Sequence, residues 1–395
     1  MRKSSIFIDK DKLSPRYVPK LLPHREEQME FLSLIFRNVM EGDPSGYMQI
    51  CQLIGPVGTG KTSTALRFGV IVEEEAAKNG VKVRHVYLNG KIEGASRFTL
   101  YRSMLDKVTH GSSTRSLSPE EILLRLIRYL KENNEYILIT VDEISYFLQR
   151  SKEHIVYDLT RLNELTPLEN SPIIGVILID RDLAFHEMLE KSERSTLGRL
   201  VIRFPRYRSN EIKDILELRV KEAFKPGVVD SEVLKYVSEA TAKPPIDGDL
   251  RVGLDMLLYA GIQAERDGRR TVSLEDVRRV HGATYPGITT ADIMCMDETE
   301  RLVLWGLLRA LRHEKKAYVS LSSIRDAYEI ICEEQGVEPV EEIEEQVQDL
   351  IYMGIVDMKS LTEFGVSGVS IEDLERFLDM IVEKLKRGLD EDEEV

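Results

Sequence analysis

Apolar residues cluster in short continuous runs in the first half of the chain and at helical spacing in the second. Met48-Gln49-Ile50-Cys51-Gln52-Leu53-Ile54, Tyr136-Ile137-Leu138-Ile139-Thr140-Val141 and Ile173-Ile174-Gly175-Val176-Ile177-Leu178-Ile179 read as strands buried on both faces. Val81 to Leu88 alternates and is bounded by Asn-Gly pairs, so it reads as a further strand. Val201 to Pro205 reads as the last one. Helical stretches separate them. The clearest carries Ile122, Leu123, Leu126, Ile127 and Leu130 behind a Ser118-Pro119-Glu120-Glu121 capping box. Strands alternating with helices predict a parallel sheet with right-handed crossovers, an α/β domain.

From Ser209 onward the spacing is helical only. Ile212, Ile215, Leu216 and Val220 share one face, and helices are expected over 233–240, 250–265 and 274–280. Helices over 298–312, 321–334 and 341–353 then precede a hairpin and a final helix over 371–387. That order is a winged-helix pattern, although a plain helical adaptor has the same spacing. The expected organisation is a flexible polar arm at 1–16, an α/β domain at 17–207, a small helical domain at 208–286, a winged helix at 287–389 and an acidic tail at 390–395. Tyr285-Pro286-Gly287-Ile288 marks the last internal boundary.

The chemistry is concentrated after the first buried strand, in Gly55-Pro56-Val57-Gly58-Thr59-Gly60-Lys61-Thr62, with Ser63 opening a helix. Strand, glycine turn, Lys-Thr and helix form the context of a phosphate-binding loop. The glycines let successive N–H groups face one anion, and the helix start adds its dipole. Lys61 is expected on the β/γ-phosphates and Thr62 on Mg²⁺. The strand at 136–141 ends in Asp142-Glu143, at the carboxyl end where such sheets bind ligands. Asp142 would orient Mg²⁺, partly through water, and Glu143 would polarise the attacking water. Tyr17, Val18, His24 and Arg25, in the lead-in to the first helix, either cap that helix or line an adenine slot.

Charge changes the picture in one place. The formal net charge is −14, and the region from Ile288 onward holds 11 Lys/Arg against 27 Asp/Glu, a net of −16. The rest of the chain is near neutral, so the acidity belongs to the winged helix and tail. The three cysteines and seven histidines are scattered, which suits a reducing cytoplasm and leaves no zinc pattern. No run suggests a membrane segment.

The combination resembles the archaeal origin-recognition-complex-type replication initiators, AAA+ ATPases with a helical lid and a winged helix. The resemblance rests on Leu22-Pro23-His24-Arg25-Glu26-Glu27-Gln28, Gly55 to Thr62, Ile137 to Glu143, Phe204-Pro205-Arg206-Tyr207 and Gly248-Asp249-Leu250-Arg251. It implies ATP/ADP and Mg as cofactors. It places Tyr17, Val18, His24, Arg25 and Tyr207 with the nucleotide and Arg251 on the γ-phosphate. It sets Arg194 toward a neighbouring subunit's nucleotide. It also implies double-stranded origin DNA, the replicative helicase and related initiator subunits as partners. The basic amphipathic segment Lys91 to Lys107 sits where the family inserts into DNA, with Arg97 and Arg102 as the candidates.

Two departures matter. Ile177-Leu178-Ile179-Asp180 has no Asn where the family carries one, which implies a slow nucleotide switch rather than a fast ATPase. The helix in the recognition position holds Glu341, Glu342, Glu344, Glu345 and Asp349 with no Lys or Arg. Phosphate contacts dominate DNA affinity, so DNA contact is expected from Arg325 and from the wing residues Lys359, Ser360, Thr362 and Ser367 instead. The competing readings are a P-loop signalling ATPase whose winged helix binds protein, and a scaffold that holds nucleotide structurally.

Overall fold

The computed structural model describes residues 4–94, 96–109, 111, 117–151, 153–165, 170–285, 290–366 and 368–381. The chain divides into two compact units, Val18–Tyr207 and Met1–Tyr17 with Arg208–Val395. The expected boundary at 286–288, Ser367 and the acidic tail lie outside the described residues.

In the first unit, α1 (Glu26–Ile35) and α2 (Arg37–Met40) precede β1 (Gln49–Ile54), α3 (Lys61–Lys78), β2 (Lys82–Asn89), α4 (Arg97–Thr109) and α5 (Pro119–Glu132). β3 (Glu135–Asp142), α6 (Ile144–Ser151), α7 (Ile155–Thr160), β4 (Ile173–Asp180), α8 (Lys191–Thr196) and β5 (Val201–Arg203) follow. The strands form one parallel sheet in the order β2-β3-β4-β1-β5. Every residue of β4 is buried, which is why its sequence is an unbroken apolar run. Side-chain alternation sends Ile137, Ile139 and Val141 into one core with α4 and α5. It sends Leu138, Ile177 and Ile179 into the other, with Phe68 of α3. The capping box at Ser118 is formed as expected.

The second unit holds α9 (Ser209–Ala223), α10 (Ser231–Ala242), α11 (Leu250–Arg266), α12 (Leu274–Thr284) and α13 (Thr290–Cys295). The winged helix then comprises α14 (Glu298–Glu314), β6 (Val319–Ser320), α15 (Leu321–Gln335), α16 (Glu344–Tyr352), β7 (Asp357–Ser360) and β8 (Glu363–Gly365), with a last helix over 371–381. Its small sheet runs β6-β8-β7, antiparallel. β6, two residues long, is too short to show a period and was not expected.

The arm is a correction. Residues 6–13 are not a flexible segment: Ile6, Phe7 and Leu13 are buried, and the Phe7 ring lies 4.8 Å from Phe224. Ile8 and Asp9 N–H both donate to the Ala223 carbonyl at the end of α9, and Lys10 pairs with Glu265. Three apolar residues in a polar stretch show no periodicity, yet one buried ring removes about 150–250 Å² from water, enough to anchor it. Among the described residues no helix is long and apolar enough to cross a membrane.

Candidate functional site

β1 delivers the chain to a turn that only glycine can make at two points. A Cβ on Gly55 would lie 2.2 Å from the Phe204 carbonyl oxygen, and one on Gly60 would lie 2.7 Å from the Tyr207 hydroxyl. Gly58 and Gly60 both have positive φ, 73° and 87°, where a side chain strains the backbone. Gly60 ends the turn and α3 starts at Lys61. The Thr59 hydroxyl closes the loop on itself by donating to the Pro56 carbonyl at 2.8 Å. Lys61 is buried, and its ammonium donates to the Gly55 and Pro56 carbonyls. The cradle, the helix start and the ammonium therefore share one place.

β3 brings Asp142 to the same place. The Thr62 hydroxyl donates to its carboxylate at 2.6 Å, across 80 residues of sequence. The Tyr87 hydroxyl donates to the same oxygen at 2.9 Å, and Glu143 N–H donates to the other. Burial pushes the Asp142 pKa up and the Glu143 charge adds to this, against the hydrogen bonds from Thr62 and Tyr87. Hydroxyl, carboxylate and buried ammonium beside a backbone nest can hold a polyphosphate with a hard divalent cation. Among the described residues no cluster of three or more His, Cys, Asp or Glu could hold a metal by itself, so the phosphates would complete such a cation's shell.

Glu143 sits at φ 57°, a strained conformation for a glutamate. Its carboxylate lies between the Lys91 ammonium at 3.3 Å and the Arg181 guanidinium at 3.9 Å. Asp180, in the place of the absent Asn, is buried and occupied. It accepts from Ser145 N–H at 2.6 Å, from the Ser145 hydroxyl at 3.0 Å and from Arg181 N–H at 2.7 Å. It thus ties the start of α6 to the end of β4.

Arg25 is buried with its guanidinium stacked 3.8 Å from the Tyr207 ring centre. It donates to the carbonyls of Thr59 at 2.9 Å, His24 and Pro205 at 2.9 Å, which joins the lead-in, the phosphate loop and the segment after β5. His24 has φ 63°. Val18, Pro56, Val57 and Ser63 are half-buried. Tyr17 belongs to the other unit, where Lys12 and Arg219 cover its ring at 4.0 and 4.7 Å. Arg251 is exposed on the first turn of α11, its N–H held by the capping carboxylate of Asp249.

The basic candidates differ in their surroundings. Arg97 is engaged internally: its guanidinium meets Asp158 at 2.5 and 2.6 Å and Glu120 at 2.9 Å, and its N–H donates to Glu153. Arg102 is exposed and pairs with Asp106 at 3.6 Å. Arg194 is exposed but folds back on the Leu189 and Glu187 carbonyls. In the second unit, Arg325 pairs with Glu344 at 2.6 Å. Lys359 is held by Glu239 of α10 at 3.4 Å and Glu363 at 3.3 Å. Ser360 is exposed, its hydroxyl 3.3 Å from that of Thr362.

Sequence reasoning missed Tyr87 and the Lys91–Glu143 pair. The signal was available. β2 and β3 are parallel neighbours, so the carboxyl end of β2 faces the same crevice as Asp142.

Comparison with known proteins places the chain among relatives over nearly its whole length. An AAA domain family model matches residues 46–189, and a Cdc6 AAA+ ATPase-type lid domain matches residues 213–282. ORC1-type DNA replication protein 2 of Saccharolobus solfataricus is 29% identical, covering 90% of this chain and 88% of that protein. The ORC1-type DNA replication protein of Pyrococcus abyssi is 28% identical over 92% and 86%. Among solved structures, Cdc6p of Pyrobaculum aerophilum matches with a TM-score of 0.81 and 27% identity, over 96% of this chain and 99% of that one. The Aeropyrum pernix ORC1 protein in complex with DNA matches at 0.62 and 26% identity, over 97% and 100%.

Proposed function

Since the chain belongs to the ORC1/Cdc6-type replication initiators of the AAA+ class, we propose that it is a nucleotide switch that binds duplex origin DNA and helps recruit the replicative helicase. The observation that carries the nucleotide half is the Thr62–Asp142 hydrogen bond, which joins two motifs distant in sequence at the mouth of one phosphate cradle. Thr62 and Asp142 would hold Mg²⁺, which when bound offsets phosphate charge as the terminal bond breaks. Lys61 binds the β/γ-phosphates. Glu143 orients and deprotonates the attacking water. Arg25 and Tyr207 fix the loop from behind, and Arg251 is assigned to the γ-phosphate by family resemblance.

Two features support slow turnover. Asp180 is a carboxylate with no N–H to donate, and both of its oxygens are taken by Ser145, so the position that carries Asn in the family has no amide to offer a water or phosphate. Glu143 starts paired with two cations, so its carboxylate must leave them before it can face a water. The protein would then keep ADP or ATP for long periods, and its state would be read by partners rather than spent in cycles.

The DNA half rests on the matched ORC1–DNA complex and on the exposed basic residues. Arg102 is the best-placed phosphate contact of the α4 segment, and Lys359 and Ser360 stand on the wing. Arg194 remains the candidate for a neighbouring subunit. The test is titration of a fluorescent duplex carrying chromosomal origin sequence with ADP-bound full-length protein, wild type against Arg102→Ala and Lys359→Ala. Binding weakened several-fold by each substitution is expected. A chain that holds no nucleotide after purification and shows no duplex binding would overturn the proposal.

A further inference from the structure

In a winged helix, the third helix offers its outer face to whatever the domain recognises. Here that helix is α16. Its inward side is ordinary: Ile343, Val347 and Leu350 are buried in the domain core. Its outward side repeats at helical spacing through Glu345, Gln348 and Tyr352, with Asp349 half-exposed beside them. Glu341, Glu342 and Glu344 are exposed just ahead of it. Arg325, the cation that meets this group, is already paired with Glu344. A helix of nine residues is about 13 Å long, so these carboxylates lie within roughly a Debye length of one another. They act on a partner as one negative field, which a DNA backbone would meet with repulsion.

The acidic stripe ends in apolar side chains left in water. Tyr352 is 80% exposed and Met353 47%. An aromatic and a methionine left in water at the end of a charged helix have the composition of an interface with anchor residues and a charged rim.

We propose that the outer face of α16 forms a docking surface for a protein segment of complementary chemistry: an amphipathic stretch whose Lys/Arg residues face Glu341, Glu342 and Glu345 and whose apolar residues cover Tyr352 and Met353. The occupant follows from charge complementarity. It excludes nucleic acid, whose phosphates would meet the carboxylates, and it explains apolar exposure that DNA contact would not use. The inference does not depend on the DNA reading above, since it concerns a face that carries no free cation among its described residues.

The test uses the full-length chain and a short synthetic helical peptide of lysine and leucine in amphipathic order, fluorescently labelled. A peptide of the same composition in scrambled order and a duplex DNA serve as the other arms. The amphipathic peptide should bind, and the scrambled one should bind at least about tenfold more weakly. Tyr352→Ala with Met353→Ala should weaken peptide binding about tenfold, and Glu341→Lys with Glu345→Lys should do the same while leaving duplex affinity equal or higher. All four positions are exposed, so unchanged thermal melting should accompany these losses. Peptide binding indifferent to both double variants would overturn the proposal, as would duplex affinity lost in the Tyr352/Met353 variant. Concentration-dependent self-association abolished by Tyr352→Ala would also overturn it, by making a second copy the occupant. Failure of the wild type to bind duplex would count against the proposed DNA function alone.

Discussion

Arg97 separates two roles that the sequence cannot distinguish, and its replacement by alanine decides between them. As a DNA contact it would be dispensable to folding. In the structure it fastens α4 to α7: two guanidinium contacts at 2.5 and 2.6 Å reach Asp158, whose side chain is only 18% exposed, and the Tyr101 hydroxyl donates to the same oxygen. The Glu120 contact, with that carboxylate 60% exposed, adds little. Hydrogen bonds to charged groups contribute about 1.5–3 kcal/mol each when well shielded, and this pair is about a quarter exposed. Removing the guanidinium also leaves the Asp158 side chain, 18% exposed, without its cation. A loss of about 2–3 kcal/mol follows, which for a unit of this size lowers the melting temperature by about 5–10 °C. The assay is thermal unfolding of the full chain followed by circular dichroism, with the α/β transition identified by its upward shift on adding ADP and Mg²⁺. Arg102→Ala is the comparator and should melt within about 1 °C of wild type while binding duplex several-fold more weakly. Arg97→Ala with unchanged melting and reduced duplex affinity would refute the structural assignment.

Three further outcomes are expected. Glu143→Gln should bind ADP and ATP normally and lose at least about 100-fold in single-turnover hydrolysis, whereas Lys91→Ala, by releasing the Glu143 carboxylate, should speed the same step; hydrolysis unaffected by Glu143→Gln would remove that residue from the chemistry. Asp142 has a folded-state pKa raised by burial, so keeping it ionised costs stability at neutral pH and costs nothing once pH falls below the ordinary carboxylate value of about 4. Asp142→Asn should therefore melt higher than wild type at pH 7 without nucleotide, lose that advantage near pH 4, and lose the Mg²⁺-dependent part of nucleotide affinity. Gly55→Ala places a methyl carbon against the Phe204 backbone, so it should destabilise the α/β unit by more than about 2 kcal/mol in urea titration and abolish nucleotide binding.

The order of elements and the phosphate cradle were legible because each rests on local information. Continuous apolar runs such as Ile173–Ile179 identify doubly covered strands, and glycine spacing identifies a nest. The pairing of Thr62 with Asp142 was also readable, since strand ends in a parallel sheet share a crevice. Other contacts depended on information absent from any one segment. Arg97 looks like Arg102 in sequence; only the fold brings Asp158 and Tyr101 to the first and leaves the second in solvent. Asp180 stands where the family carries an amide, but only the fold shows that Ser145, from the segment after β3, claims both of its oxygens. The arm failed for a different reason: Ile6, Phe7 and Leu13 are too few to show a period, and the groove that receives them is built from α9 and α11, far along the chain.

The ion pair between Lys359 and Glu239 has a consequence for how DNA binding will be measured. A free surface lysine that meets a phosphate expels a condensed cation from the duplex, and the steepness of affinity against salt counts such events. In the proposed DNA contact Lys359 would leave Glu239 and Glu363, and the one unit of negative charge it uncovers there would draw a cation back from solution. Release and uptake cancel, so this contact is nearly invisible to a salt titration even when it carries affinity. A count of phosphate contacts taken from the slope will fall short of the number in a footprint, and Glu239→Gln should bring the two closer together.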